Sequence, residues 1–516
     1  MTEKKTQAPR SRRSALDMPA DEFRSLGHAL VDQIAAFYES FGTRELTREA
    51  GPEDIRELLG TNELPEQGTD AGKLLAEIAP LLFDHSLHNG HPKFLGYITS
   101  SGAPLGALAD LLAAAVNANV GKWDLSPVAS EIESQTIRWL ADLIGYERNS
   151  GGLMVSGGNM SNFLAFVAAR TAKAPWDLRS QGNYGDARRL TAYVSKETHT
   201  WVQKAADVCG LGAEGIRWIE TDAEGRMCID SLRTRLSEDR TSGRLPFLVV
   251  ATAGSVSTGV IDPIRALADL CQEEDLWLHA DGAYGALAAM LPDAPDDLRA
   301  LSLVDSVAMD PHKWLYCPIE AACVVTKHER ALQDAFGFYP DYYLFDEERD
   351  AGINYYEVGM QNSRGFRALK VWLALRRAGR EGYCESIRDD IQLAELLYAL
   401  ADAHEELSAH SINLSVATFR YVPAEMRNDG SEETEAYLNR LNQALLAELQ
   451  AGGELYLSNA IVDGRYLLRG CIVNFRTSQA DIEAIPEMVV EIGRRLDREL
   501  RPSAPSDTAQ IIRNSA

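Results

Sequence analysis

Seven short apolar runs, separated by stretches of helical periodicity, constrain the fold of this 516-residue chain more than any other feature. They read as strands at Gly152–Val155, Ala192–Ser195, Gly215–Ile219, Pro246–Thr252, Leu276–Ala280, Leu303–Met309 and Ala321–Thr326. Helical segments at Ser161–Ala172, Trp201–Cys209 and Pro263–Glu274 lie between several of them. Strands that alternate with helices build an α/β fold, a mostly parallel sheet covered by helices on both faces. A ligand in such a sheet sits beyond the carboxyl ends of the strands. Chemistry is therefore expected in the residues that directly follow each run.

The flanks differ in pattern. Pro19–Glu39 reads as an amphipathic helix, with Phe23, Leu30 and Phe37 seven apart and Leu26, Ile34 and Phe41 near the same stripe. Shorter helices are expected at Glu53–Leu59 and Gly72–Leu82. This segment cannot bury all its apolar faces alone, so it packs on the main body or on a partner subunit. Beyond Val371 the chain reads as helices to Ala378 and at Tyr383–Ala403, then strands Ile412–Tyr421 and Tyr466–Phe475 with helices Thr434–Leu449 and Ala480–Leu500. The expected organisation is a tail over 1–18, a helical arm over 19–91, a large α/β domain over 92–370, a small α+β domain over 371–500 and a tail over 501–516.

Composition excludes several classes. Acidic residues number 76 and basic residues 51, a net charge of −25, which suits no general nucleic-acid binder. The seven cysteines form no CxxC pair, so neither a disulfide framework nor a zinc site is expected. No run of about 18 apolar residues and no secretory signal is visible, which makes the cytoplasm the expected location. His85, His88 and His91 are spaced for one helix face, but Asn89-Gly90 and Pro92 break any helix there, and no metal is expected.

Five strand-end motifs carry chemistry. Asp310-Pro311-His312-Lys313-Trp314 places an amine where neighbours desolvate it, which lowers its pKa and makes it a carbonyl nucleophile. In His279-Ala280-Asp281-Gly282-Ala283-Tyr284, an apolar strand runs into a carboxylate that needs a partner if buried. Ser156-Gly157-Gly158-Asn159-Met160 turns a strand into a helix, and free amides at a helix start hold anions. Thr198-His199 offers a ring that can stack on a flat ligand, and Thr252 closes a strand with a hydroxyl. Amine, carboxylate, anion cradle and stacking ring together suit pyridoxal 5′-phosphate.

These motifs resemble those of the group II pyridoxal-phosphate amino-acid decarboxylases, which include aromatic-L-amino-acid, tyrosine, tryptophan and glutamate decarboxylases. The similarity spans about residues 20 to 490, with support from His91-Pro92-Lys93-Phe94, Glu131-Ile132-Glu133 and Arg364-Gly365-Phe366. It implies a type I aminotransferase-like fold and a homodimer with shared active sites. Lys313 would carry the cofactor as a Schiff base, Asp281 would meet the ring nitrogen, and Ala283 and His199 would lie against the two ring faces. Thr252 would sit at the oxygen edge. The backbone amides of Gly158, Asn159 and Met160 would cradle the phosphate, with Asp310 close by and Ser363 reaching in from the other subunit. His312, Tyr97, Ile98, Thr99 and Arg469 would face the substrate. A tyrosine of the charged segment that follows Phe338 would return a proton to Cα, Tyr343 first and Tyr342 second. Asp310 stands where the family commonly has Asn, and Gly121 where aromatic-specific members carry a bulky ring. The implied activity is conversion of an L-amino acid, expected to be aromatic, into its amine and CO2. The alternatives are decarboxylation-dependent oxidative deamination to an aldehyde, an acidic substrate such as glutamate, favoured by Lys122 and Arg469, or a non-catalytic scaffold.

Overall fold

The computed structural model describes residues 16–338 and 352–501 together with Ser14, apart from positions 49, 61, 62, 148 and 187. Its centre is a seven-stranded sheet built from β1 (Gly151–Val155), β2 (Leu190–Ser195), β3 (Ile216–Ile219), β4 (Leu245–Thr252), β5 (Trp277–Asp281), β6 (Ser306–Met309) and β7 (Ala322–Thr326). The order is β1-β7-β6-β5-β4-β2-β3. Strands β2 to β6 pair in parallel, and β7 runs antiparallel to both of its neighbours. Every residue of β5, β6 and β7 is buried, which explains why these strands read as continuous apolar runs rather than as alternating ones. The helix Gly158–Lys173 packs across β4 to β7, and Ile264–Glu273 packs on β4 and β5.

The boundaries of β6 differ from expectation. Ala300–Leu303 is a 3-10 turn, so the strand begins at Ser306 instead of Leu303. Among the helices not anticipated are two with a shared opening, Pro104–Val116 and Pro127–Leu143. Each opens with proline in its first turn, where the missing N–H costs nothing.

Downstream, the helix Ala368–Ala403 bends at Gly379, whose φ of 66° and ψ of 175° interrupt the helical path between the two segments read from sequence. A second sheet follows, in the order β10-β11-β9-β8, from β8 (Leu407–Asn413), β9 (Val416–Tyr421), β10 (Ser458–Val462) and β11 (Arg465–Cys471). The two strands expected here are in fact two hairpins. Leu414 turns the first one with φ 49°, and Asp463-Gly464 turns the second with φ 49° and 76°. Helices Glu432–Ala451 and Ile485–Leu500 pack against each other over this sheet.

The N-terminal helix Ala20–Glu39 buries none of its own residues completely. Phe37 stacks on Phe83 at 4.5 Å between ring centres, yet Phe23, Leu74 and Leu82 remain exposed. Among the described residues no helix is long and apolar enough to cross a membrane.

Candidate active site

The carboxyl ends of β1, β2, β4, β5 and β6 open onto one cavity of about 400 Å³. Its wall includes Lys313, Asp310 and His312 after β6, Asp281 and Ala283 at the end of β5, and Thr252 at the end of β4. His199 follows β2, Gly158 and Asn159 follow β1, and Tyr97, Ile98 and Arg469 also line it.

Lys313 lies with its Nζ 3.2 Å from Asp310 Oδ2, and His312 Nε2 is 3.5 Å from the same oxygen. Asp310 is buried, and its second oxygen, Oδ1, has no hydrogen-bond partner. Burial holds the His312 imidazole below its ordinary pKa, so the ring is neutral and its Nδ1–H donates to the Ala321 carbonyl at 2.6 Å. That bond fixes the ring beside Lys313.

Asp281 is only 8 % exposed and has no Lys or Arg partner among the described residues. Its Oδ2 accepts the Trp201 indole N–H at 2.7 Å, and its Oδ1 accepts the Ala283 amide at 3.3 Å. Behind it, burial pushes His279 down to about 4, so that ring is neutral. His279 sits between Asn162 Oδ1 at 2.7 Å and Ser306 Oγ at 2.9 Å. The carboxylate is thus oriented by neutral donors, and its charge stays available to a cation in the cavity.

The β1–helix turn distinguishes among the three amides expected to hold phosphate. The Met160 amide donates to the Gly157 carbonyl at 2.9 Å and is spent within the first helical turn. The anion cradle is therefore left to Gly158 and Asn159, and Met160 does not line the cavity. A Cβ at Gly158 would crowd Asp310 Oδ2 at 2.8 Å and the Ala283 methyl at 3.3 Å.

Thr99 is likewise not brought to the wall, although its hydroxyl is buried without a partner. Ser363 is exposed away from this chain's cavity, and Lys122 pairs with Asp124 at 3.1 Å outside it. Tyr342 and Tyr343 lie outside the described residues.

Sequence reasoning missed Gly157, Asn162, Glu197, Gly254, Val256 and Tyr284, which also line the cavity. All of them belong to the strand-end motifs or lie within a few residues of one, so the signal is present in the same segments as the expected residues. Tyr284 has a second task. Its hydroxyl bonds Ser415 Oγ at 2.7 Å and accepts the Ser415 amide at 2.9 Å, which docks the β8–β9 turn beside the cavity.

The donor set fits pyridoxal phosphate. An amine faces the cavity from Lys313, and a carboxylate without a basic partner faces it from Asp281. The Gly158 and Asn159 amides have no hydrogen bond among the described residues, a Cβ on Gly158 would crowd Asp310, and Thr252 Oγ1 is buried without a partner. Buried polar atoms without partners are rare in native proteins, so several around one cavity mark a place built for a ligand.

Comparison with known proteins agrees. The pyridoxal-dependent decarboxylase conserved domain matches residues 52–422. The chain is 34% identical to an aromatic-L-amino-acid decarboxylase of Bacillus atrophaeus, over 90% of this chain and 94% of that one. It is 27% identical to a phenylacetaldehyde synthase of a Rosa hybrid cultivar, over 87% of this chain and 89% of that one. The crystal structure of Oryza sativa TDC with PLP and tryptamine superposes with a TM-score of 0.86 at 25% identity, covering 94% of this chain and all of that one.

Proposed function

We propose a substrate class and a division of labour for this chain, which belongs to the pyridoxal-dependent decarboxylase family and is a pyridoxal-phosphate-dependent amino-acid decarboxylase. The substrate is an aromatic L-amino acid, and the products are its amine and CO2. The observation that carries this reading is the meeting of Lys313, Asp281 and Arg469 on one cavity wall.

When bound, pyridoxal phosphate supplies the electron sink that lets the bond to the α-carboxyl group break. Lys313 would hold it covalently, with Asp310 pairing the free amine beforehand. Asp281, held by Trp201, would keep the ring nitrogen protonated. Gly158 and Asn159 would bind the phosphate through their amides, and His199 and Ala283 would enclose the ring. Arg469 is buried, and its Nε has no partner. It would bind the substrate carboxylate and orient it. Tyr97, Ile98 and Val256 supply apolar surface that displaces water from the reacting group. Tyr343, with Tyr342 second, is proposed to return the proton to Cα.

Homodimerisation is part of the same proposal. The apolar stripe of Ala20–Glu39 has little to cover it within the chain, and Ser363, expected to reach the partner's site, is exposed. Light scattering that gives twice the chain mass supports this, and a monomer contradicts it.

The test of function is CO2 release from a panel of amino acids by the purified holoenzyme. Release from tyrosine, tryptophan or phenylalanine is expected, and release only from glutamate overturns the substrate class. Similarity to a phenylacetaldehyde synthase favours one second reading, oxidative deamination. Oxygen uptake matching CO2 release identifies it.

A further inference from the structure

Two opposite charges face the cavity without neutralising each other. Glu197 reaches it from the segment after β2 and Arg469 from β11, and both touch the short loop after β4. Glu197 hydrogen-bonds the Ser257 side chain, and Arg469 Nη1 donates to the Val256 carbonyl. No ion pair joins Glu197 and Arg469 among the described residues. Glu197 Oε2 and Arg469 Nε are each buried without a partner. Lys196, the nearest cation in sequence, is turned outward and paired with Glu220. A buried carboxylate oxygen left without a donor is costly, so the site favours any ligand that supplies one.

The chemistry of the substrate narrows the donor. The α-amine is used in the link to the cofactor, and the α-carboxylate is an anion suited to Arg469. The remaining group that a carboxylate can bind is an O–H or N–H on the substrate side chain. We propose that Glu197 determines specificity, accepting a hydrogen bond from the polar end of a phenol, indole or imidazole side chain and repelling acidic side chains. The inference rests on the decarboxylase reading and goes beyond it. It ranks tyrosine, tryptophan and histidine above phenylalanine, and it places glutamate last.

A site built to hydrogen-bond a substrate group discriminates strongly against the analogue that lacks it. Glu197 is only partly buried, so a preference of about 10–100-fold in kcat/KM for tyrosine over phenylalanine is expected. The experiment compares the wild-type holoenzyme with Glu197→Leu and Glu197→Gln. Leucine is expected to bring the ratio toward one, and glutamine, whose amide oxygen still accepts, to keep part of it. An unchanged cofactor absorbance in both variants confirms that the site is folded and loaded.

Calorimetric binding of tyramine against phenethylamine is measured alongside. CO2 release with a ratio near one in the wild type, or the same ratio in Glu197→Leu, overturns the role of Glu197. A binding ratio that depends on Glu197, without CO2 from any amino acid, sinks the reaction and keeps the recognition. Loss of both overturns both.

Discussion

Two buried aspartates hold the segment around Lys313, and they are partnered in opposite ways. Asp310 touches the Lys313 amine with one oxygen and leaves the other without a partner, facing the cavity side of the segment. Asp390 lies beneath. Its Oδ2 accepts the Trp314 indole N–H at 2.9 Å and the Tyr316 hydroxyl at 2.7 Å. The same contrast extends outward. Around the cavity, Thr252, Glu197 and Arg469 carry buried polar atoms with no partner. In the underlying layer, Arg364 forks onto Glu133 at 2.5 and 3.2 Å and also reaches the carbonyls of Val120 and Met154. The wall is left incomplete for a ligand to finish, and the foundation is saturated. Tyr316 shows what saturation achieves: its φ of 51° is unfavourable for a residue with a Cβ. It persists because Asp390 holds the hydroxyl and the Ala103 amide holds the carbonyl at 2.7 Å.

Substitutions in the two layers should therefore fail differently. The largest effect is expected in the wall. Lys313→Ala should lower turnover by on the order of 10³-fold or more and abolish the cofactor's Schiff-base absorbance. Its melting temperature without cofactor should stay close to wild type. A large loss of stability would erase the distinction.

Next comes the foundation. Glu133→Ala strands the Arg364 guanidinium, 1 % exposed at its side chain, and should cost about 3–5 kcal/mol in denaturant unfolding. Asp390→Leu strands two donors at about 1–3 kcal/mol each, and Asp390→Asn should lose less because an amide oxygen still accepts. If either foundation variant kept full stability and lost only turnover, the layers would not be separable.

Asp390 also gives a pH signature. Burial raises its carboxyl from 3.8 to about 7. Between those values the folded protein holds a proton that the unfolded chain has released. Stability from this group is therefore full below about pH 4, falls as pH rises and is lost above pH 7. The slope is at most about 1.4 kcal/mol per pH unit. Asp262, raised to about 6 by burial, acts in the same direction. Asp390→Asn should flatten the fall of melting temperature between pH 5 and 7 without removing it. An unchanged slope would contradict the assignment. The smallest effect belongs to neither layer: Lys73→Ala breaks an exposed pair with Glu77 and should change stability by less than about 0.5 kcal/mol.

The same division explains what could be read from sequence. The wall was legible because each strand of the parallel sheet ends in a short motif whose residue types carry the chemistry. Lys313, Asp281 and Thr252 needed no long-range information. The foundation was not legible, since Asp390 and Trp314 are 76 positions apart and meet only through folding. The β8–β9 turn was hidden because Leu414 adopts a left-handed conformation without glycine to announce it, held in place through Ser415 and Tyr284. The β10–β11 turn, by contrast, is announced by Asp463-Gly464, a strong hairpin signal. Sequence does not say which amides of a first helical turn are already bonded, as that of Met160 is to the Gly157 carbonyl.

The central claim is that the incomplete wall is completed by pyridoxal phosphate held on Lys313. Borohydride reduction of the holoenzyme, followed by peptide mass analysis, tests it most directly. The claim predicts a stable pyridoxyl group on the peptide containing Lys313 and on no other. Labelling of a different lysine, or no labelling of a protein that retains its cofactor, would contradict it.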